Sequence, residues 1–368
     1  MGGAIRHLHN FIPALLKNDK TNQYILILRN DVKFDYEDES LQIVRIPKSV
    51  GANFFLRSLF DILYLPFFAI KVKADIVISL LNFGPVFCTK PHINFQRNSL
   101  YFCNYYLVNI TGLEKLFTKL RSALLYYTMK YATIIVTPSD SMAELIKIRY
   151  PTLNKNQYHT IYHGFDEDNY ETGFADNNFF QKSEGRLKIF YPSHPAFHKG
   201  IDLLIELISH FNRLYQDFIL IFPFDEKDSK EEIEKYRSFA AKFNIADKID
   251  FIGRIKQERI KFYFDLADVI IFSSMCESFG FPILESLAFG KPIVSVDTNI
   301  SRELCGDAAL YYDPFKPADG AKVLNRMTDP EFRKEYSIKS IERFEARDWS
   351  WHHYVKEFIK ITESISNR

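Results

Sequence analysis

Polar and apolar residues along this chain come in blocks that predict strands and helices in turn. The apolar run 268–273 predicts a buried strand of a parallel sheet that is covered by helices on both faces. Pro282 predicts the start of a helix, because its fixed φ is helical and the N–H that it lacks would have no partner there. Gly290 predicts the end of that helix, and the run 293–296 predicts the next strand.

The same alternation continues along the rest of the chain and is typical of parallel α/β sheets. Its 368 residues are long for one hydrophobic core and suit two. Strands are predicted at 24–28, 41–46, 75–80, 93–95, 133–136, 187–191, 217–223 and 249–252, and helices at 5–16, 53–71, 113–131, 201–211, 230–244 and 258–267.

Composition and charge narrow the functional classes. Hydrophobic residues make up 47% and charged residues 25% of the chain, as in ordinary globular proteins. The apolar stretch 54–70 is interrupted by Arg57, Asp61 and Pro66, which argues against a membrane span. Residues 1–165 carry 19 Lys and Arg against 11 Asp and Glu, whereas residues 166–368 carry 28 against 35. This asymmetry predicts that only the first half meets an anionic surface, with random drift between two domains as the alternative.

Two glutamates and a glycine near the predicted helix start favour a nucleotide ligand. Gly280 lets the backbone approach a ligand closely, and the free N–H groups of a helix start bind phosphate. A carboxylate at Glu285 is placed to accept hydrogen bonds from ribose hydroxyls, and Glu277 is placed to bind a second polyol. The pattern predicts a site for a nucleotide diphosphate bonded to a sugar.

With Phe279, Gly280 and Phe281 between them, Glu277 and Glu285 resemble the paired-glutamate motif of retaining GT-B glycosyltransferases, in particular glycosyltransferase family 4. The resemblance implies that the first glutamate contacts hydroxyls of the donor sugar and that the second binds the ribose. The two phenylalanines and the glycine are expected to complete the donor loop.

The same resemblance implies an α/β fold of two Rossmann-like domains that face an interdomain cleft. Residues 1–165 would bind the acceptor, residues 166–345 would bind the nucleotide sugar, and a final helix at 346–368 would cross back to the first domain. In the family a strand precedes the first glycine-rich loop, which here lies around Gly3 and is expected to contact the donor. We therefore expect either a start codon assigned late or a first sheet that lacks its first strand.

Lys199 resembles the lysine with which the family grips the diphosphate. An ammonium there would offset the negative charge that develops as the sugar leaves. Many relatives place an arginine some five residues earlier, where this chain has Ser193 or His194. We expect His194 or His198 to supply part of that missing charge.

Further contacts are implied by position in the family. Gly253 and Arg254 are expected where the backbone meets the nucleobase. Gln96, Arg97 and Asn98 are expected to help define the acceptor site, or alternatively only to cap a loop.

The segment 113–131 interleaves basic and apolar residues, so it is predicted either to lie on an anionic bilayer or to pack on the core with a solvated basic face. Asp166 and Asp168 match the Asp-x-Asp pattern of metal-dependent transferases, but they stand in a predicted linker. The four cysteines have no metal-ligand spacing. We therefore expect no metal and no cofactor besides the nucleotide-diphosphate sugar.

Together these features predict a hexosyltransferase that acts on a lipid-linked glycan in surface polysaccharide assembly. It is expected to be a cytoplasmic protein that can attach peripherally to the membrane. No nucleic-acid partner is expected. Alternatives are a GT-B epimerase or phosphorylase-like enzyme and a catalytically silent GT-B partner subunit. GDP-mannose, UDP-sugars and dTDP-sugars all stay open as donors.

Overall fold

The computed structural model describes residues 3–153, 157–167, 170–171 and 183–366. The chain divides into two compact units. Unit 1 comprises Met1–Cys103, Asn109–Phe165 and Trp349–Arg368, and unit 2 comprises Asn104–Val108 and Asp166–Asp348. The chain passes from unit 1 to unit 2 after Phe165 and returns to unit 1 after Asp348, whereas the predicted limits are 165 and 345.

Helices and parallel strands alternate through the described residues. In chain order the strands are β1 (Tyr24–Arg29), β2 (Leu41–Ile46), β3 (Val77–Ser79), β4 (His92–Phe95), β5 (Ile134–Thr137), β6 (Tyr158–Thr160), β7 (Leu187–Phe190), β8 (Phe218–Phe222), β9 (Ile249–Phe251), β10 (Val269–Phe272), β11 (Ile293–Val296) and β12 (Ala309–Tyr312). The α-helices are α1 (Gly3–Asn18), α2 (Lys48–Ala52), α3 (Phe54–Leu59), α4 (Leu65–Lys71), α5 (Asn104–Asn109), α6 (Gly112–Lys130), α7 (Asp140–Arg149), α8 (Ile201–Phe211), α9 (Glu226–Lys242), α10 (Ile260–Leu266), α11 (Phe281–Ala288), α12 (Asn299–Cys305), α13 (Pro317–Asn325), α14 (Pro330–Glu345) and α15 (Trp351–Ser366).

Unit 1 contains a parallel pair, β1-β2, and a parallel four-stranded sheet in the order β3-β4-β5-β6. Its core joins the first and last helices of the chain. Phe11 of α1 packs edge-on against Tyr354 and Phe358 of α15, with ring centroids 5.4 and 5.0 Å apart. All three side chains are buried together with Ile93 of β4. The C-terminal helix is therefore part of the core of unit 1.

The predicted helix 53–71 is confirmed as a helical segment from Phe54 to Lys71. A π-helical turn at Phe60–Tyr64 separates its two α-helical parts, α3 and α4. Asp61 is buried within this segment, whereas several of its large apolar side chains are exposed. None of the helices in the described part of the chain combines the length and the apolar character needed to cross a bilayer.

Unit 2 is built on a six-stranded parallel sheet in the order β12-β11-β10-β7-β8-β9. Numbered from β7 this is 6-5-4-1-2-3, the strand order of a doubly wound Rossmann sheet. Neighbouring residues of β7 face opposite sides: Ile189 joins a core with α8, and Phe190 joins a second core with α10. Burial on both faces explains why these strands are continuous apolar runs.

Candidate functional site

The reversal of strand order in unit 2 lies between β7 and β10. These strands are neighbours, with Ile270 opposite Phe190, and they end at Phe190 and Phe272. Their parallel direction sends the following loops, 191–200 and 273–280, out from the same edge of the sheet. Doubly wound sheets bind ligands at this switch point, beyond the carboxyl ends of the strands.

Hydrogen bonds join the two loops. The Ser273 hydroxyl donates to the carbonyl oxygen of Lys199 at 2.7 Å, and the Met275 amide donates to the carbonyl oxygen of His198 at 2.9 Å. Gly200 follows with φ of 65°, and a Cβ there would lie 2.7 Å from the Ser273 carbonyl oxygen. Only glycine fits this close approach of the two loop backbones. The approach fixes the backbone of the neighbouring Lys199 beside the end of β10.

Lys199 and Glu277 form an ion pair above this edge. The Lys199 ammonium contacts Oε1 of Glu277, and the two side chains are 7% and 15% exposed. Burial on its own would raise the pKa of Glu277, but the charge of Lys199 and hydrogen bonds from Lys199 and Ser274 outweigh burial and lower that pKa. Glu277 is therefore an ionised carboxylate at neutral pH, matched to one buried cation.

Two histidines stand near this pair without adding charge to it. Burial, followed by repulsion from Lys199, lowers the pKa of His198 to about 4. The pKa of His194 is also lowered, by partial burial and then by Lys199, although its ring is more exposed. Both rings are therefore neutral near pH 7 in this structure, and the expectation that either supplies part of the missing positive charge beside a diphosphate stays a prediction. A neutral imidazole retains one N–H donor.

Glu285 occupies a separate buried position on α11. This helix begins at Phe281, one residue before the predicted start, after Gly280 with φ of 90°. The Glu285 side chain lies inside the unit, with the residue 3% exposed. Its Oε1 accepts hydrogen bonds from the Tyr170 hydroxyl at 2.8 Å and from Nε2 of Gln257 at 3.0 Å. These donors fix the orientation of the carboxylate.

Tyr170 and Gln257 are the residues that the sequence analysis missed. Gln257 begins a 3-10 turn, Gln257–Arg259, shortly after the predicted loop at Gly253. Its place near that loop is the only sequence signal that marks it. Tyr170 packs edge-on against Phe289 at 5.1 Å and has no sequence signal, because it stands in a polar stretch between elements.

The other predicted donor residues lie on loops of unit 2, except Phe281, which begins α11, and Gly3. Gly253 has φ of 83° and open space where a Cβ would be, so the backbone conformation alone requires glycine. Arg254 beside it is exposed, and the Ser193 amide donates to the Tyr191 carbonyl at 2.9 Å. Phe279 is buried and packs edge-on against Phe281, with ring centroids 5.2 Å apart. Gly3 begins α1 in unit 1. Their roles as ligand contacts stay predictions.

Gln96 and Asn98, two of the predicted acceptor residues, follow β4 in unit 1. Gln96 is fully buried, and its Nε2 donates to the Asn82 carbonyl at 2.8 Å. Oδ1 of Asn98 accepts from the Leu100 amide at 3.0 Å and caps the 3-10 turn Ser99–Tyr101. The structure thus displays the capping alternative for Asn98, and acceptor binding by either residue stays a prediction.

Arg97, the third of these residues, connects three elements of unit 1. Its Nη2 lies 2.7 Å from Nε2 of His7 on α1 and donates to the Tyr354 hydroxyl of α15 at 3.0 Å. Burial lowers the pKa of His7 most, followed by the nearby Arg97 guanidinium and His163, so His7 accepts the hydrogen bond as a neutral ring. Arg97 therefore has a structural role, and its contact with an acceptor also stays a prediction.

No group of three or more His, Cys, Asp or Glu side chains is placed to hold a metal ion within residues 3–153, 157–167, 170–171 and 183–366. Asp168 of the Asp-x-Asp pattern lies outside the described residues.

Comparison with known proteins agrees with the geometry of unit 2. Residues 175–343 match the family model described as "Glycosyl transferases group 1". This match covers most of unit 2 and shows that its sequence is similar to group 1 glycosyl transferases. Assignment of the chain to glycosyltransferase family 4 within this group stays a prediction.

Individual known proteins are similar in sequence or in fold. The chain is 28% identical over 112 residues to O-antigen chain mannosyltransferase B of Escherichia coli, a match that covers 30% of this chain and 29% of that protein. WaaG, "a glycosyltransferase involved in lipopolysaccharide biosynthesis", superposes with a TM-score of 0.72 at 14% identity over 98% of this chain and 96% of that one. Anabaena Alr3699/HepE in complex with UDP-glucose gives a TM-score of 0.69 at 14% identity over 99% and 96%. The structural likeness confirms the predicted α/β fold class, GT-B, with two Rossmann-like domains.

Substitution of Gly200 tests how closely the two loops at the switch point depend on each other. Gly200→Ala adds a Cβ that must move Ser273, so we expect the Lys199 loop to shift and the free energy of unfolding to fall by clearly more than about 1 kcal/mol. Gly185→Ala is the matched control, because it has φ of 72° but open space around the new Cβ. It should cost only the strain of about 1 kcal/mol of a left-handed residue. Urea and thermal unfolding of both variants measure the difference; equal effects of the two substitutions would contradict the close approach.

The pKa of His198 predicts how stability depends on pH. An unfolded His198 binds a proton below about pH 6.5, whereas the folded one does so only near pH 4. Between these values the unfolded chain holds more protons, so the free energy of unfolding falls as pH drops from 6.5 toward 4. His198→Gln should reduce the loss of unfolding free energy between pH 7 and pH 5 in urea titrations. His9→Gln, at an exposed site, serves as the control. A His198→Gln protein as acid-sensitive as wild type would show that the ring is not held neutral.

Proposed function

We propose that the chain is a retaining glycosyltransferase that moves a hexose or deoxyhexose from a nucleotide-diphosphate sugar to a glycan acceptor. The observation that carries this proposal is the Lys199–Glu277 ion pair at the switch point of unit 2, whose sequence is similar to group 1 glycosyl transferases. A cation, an ionised carboxylate and the first turn of α11 follow one another at one edge of the sheet.

Donor binding would rearrange this ion pair. A diphosphate carries more negative charge than one carboxylate, so the Lys199 ammonium would turn from Glu277 to a phosphate oxygen. Glu277 would then accept hydrogen bonds from hydroxyls of the donor sugar. The first turn of α11, with the positive end of its helix dipole, would bind the diphosphate from the other side.

The reaction exchanges one bond at the anomeric carbon for another. The bond from this carbon to the diphosphate oxygen breaks, a bond to the acceptor hydroxyl oxygen forms on the same face, and the acceptor proton passes to the leaving phosphate. Lys199 would stabilise the negative charge that develops on the leaving group. Glu277 would hold the sugar in position, and neither glutamate would act as a nucleophile.

Glu285 would bind the ribose of the nucleotide. Tyr170 and Gln257 hold its Oε1 from within the protein. Because these donors fix the carboxylate before a ligand arrives, less side-chain entropy is lost when ribose hydroxyls bind.

The acceptor is proposed to be a lipid-linked glycan at the cytoplasmic face of a bacterial membrane, in O-antigen, capsule or exopolysaccharide assembly. Support comes from the similarity to an O-antigen mannosyltransferase and to a lipopolysaccharide glycosyltransferase. The excess of basic residues in the first 165 positions also supports it, since lipid-linked glycans lie at an anionic surface.

One observation favours a second candidate, a catalytically silent partner subunit. The position that many relatives fill with an arginine has only neutral imidazoles near it in this chain. Such a subunit would bind a nucleotide sugar without releasing the nucleotide. A measurable rate of donor hydrolysis by the purified chain would exclude this candidate.

Glu277→Gln tests the proposed transfer. Loss of the carboxylate removes the sugar contact and leaves Lys199 without its counter-charge, so turnover should fall by about two orders of magnitude or more, while circular dichroism shows an intact fold. Nucleotide release from GDP-mannose, UDP-sugars and dTDP-sugars with a glycan acceptor measures the rate. Glu335→Gln, which removes an exposed ion pair with Lys339, is the matched control and should keep full activity. Full activity of Glu277→Gln would refute the assigned role.

A further inference from the structure

Segment 54–70 of unit 1 carries its apolar side chains on the outside. Leu63 and Phe67 are 65% and 64% exposed. Every residue of the segment that is classed as exposed is apolar or aromatic: Phe55, Leu56, Leu59, Leu63, Tyr64, Phe67 and Ile70. Surface helices of globular proteins normally turn such a stripe toward the core.

The two charged residues of the segment, Arg57 and Asp61, pair with each other. Asp61 is only 1% exposed, and both of its carboxylate oxygens accept from Nε of Arg57, at 2.9 and 2.8 Å. The opposite charges of Arg57 and Asp61 therefore compensate each other. The segment thus buries a carboxylate, leaves the side chain of its partner Arg57 40% exposed, and carries apolar side chains on the outside, unlike an ordinary amphipathic helix.

The π-helical turn at Phe60–Tyr64 helps to keep the stripe on one side. Phe55, Leu59, Leu63 and Phe67 follow one another at intervals of four residues. In a regular α-helix four residues overshoot one turn by about 40°, so such a stripe would wind around the helix. A π-helical turn contains more residues than an α-helical turn, so it cancels part of this overshoot.

The segment is suited to lie along a bilayer surface. Its 17 residues would extend about 25 Å, whereas a spanning helix needs about 20 predominantly apolar residues. An exposed apolar patch of this kind on a globular protein indicates a surface that binds a membrane or another molecule. An interfacial helix buries such a face at the boundary between lipid headgroups and acyl chains.

Basic residues adjoin the outward face. The guanidinium of Arg121 on α6 lies 5.2 Å from the ring centroid of Phe54, which places the two segments side by side. The first turns of α6 expose Leu116 and Leu120 together with basic side chains. Over residues 48–73 and 112–131 there are eight Lys and Arg against two acidic residues, of which Asp61 is already paired.

This charge distinguishes between the possible occupants. A second copy of the chain would bring two faces of the same positive charge together, which opposes association. An anionic lipid surface attracts each basic residue and accepts the apolar side chains between them.

We propose that the outward face of segment 54–70 inserts into the headgroup region of an anionic bilayer, with the basic residues of segments 48–73 and 112–131 in contact with lipid phosphates. The inserting element is thus this segment and not only the basic helix 113–131. The proposal does not depend on the transfer reaction, because vesicle binding needs neither donor nor acceptor.

Co-sedimentation with vesicles tests the proposal. Wild-type protein should sediment with vesicles that contain phosphatidylglycerol and remain in solution with phosphatidylcholine alone. The double variant Leu63→Glu with Phe67→Glu should bind anionic vesicles at least tenfold more weakly. Leu214→Glu, which changes a leucine of unit 2 that is 53% exposed, should bind as wild type does. Equal binding of the double variant and the control, or no preference for anionic lipid, would overturn the proposal.

A second measurement avoids any dependence on disruptive substitutions. Phe67→Trp should give a blue-shifted tryptophan emission on addition of anionic vesicles, whereas Leu214→Trp should not.

Two further measurements test the charge and the occupant. Lys71→Gln with Lys73→Gln should weaken anionic vesicle binding and reduce its dependence on salt. Analytical ultracentrifugation without vesicles should show a monomer. An unshifted Phe67→Trp emission would contradict insertion, and a dimer that the Leu63→Glu, Phe67→Glu variant abolishes would assign the face to a second copy.

Discussion

The pairing of Lys199 with Glu277 is the interaction on which the proposed chemistry depends. Burying either charge alone would be costly, and in the pair each charge compensates the other. Such a pair contributes little to net stability, since desolvation offsets most of the attraction. The proposed function of the pair is to hold both groups in place before the donor binds. A diphosphate can then replace the Glu277 carboxylate at the Lys199 ammonium, and the released carboxylate is available to a sugar.

The position of this pair is set by the topology of unit 2. Chain order places β7 and β10 side by side, so that the loops after two strands separated by some eighty residues leave one edge of the sheet. Ser273 and Gly200 then bring the loop backbones together. The chemistry of the site thus rests on backbone geometry that the parallel sheet provides before any side chain contributes.

How much the sequence predicts depends on whether a feature is local. Buried strands such as β10 and β11 are apolar runs, and the start of α11 has Pro282 and Gly280 as local signals, so this region was predicted to within a residue or two. Tyr170 was missed because it meets Glu285 from 115 positions away. The link from Arg97 to Tyr354 spans 257 positions and has no local signal either. Hydrophobicity predicted that segment 54–70 is helical, but it does not say which face the tertiary structure leaves exposed. The loss of charge on His198 likewise follows from burial, which only the fold determines.

A crystal structure of the chain with a nucleotide-diphosphate sugar tests the central claim most directly. The account predicts that Nζ of Lys199 leaves Glu277 and lies within about 3 Å of a phosphate oxygen, while Glu277 accepts a hydrogen bond from a sugar hydroxyl. A donor bound at another site, with Lys199 and Glu277 still paired, would contradict it.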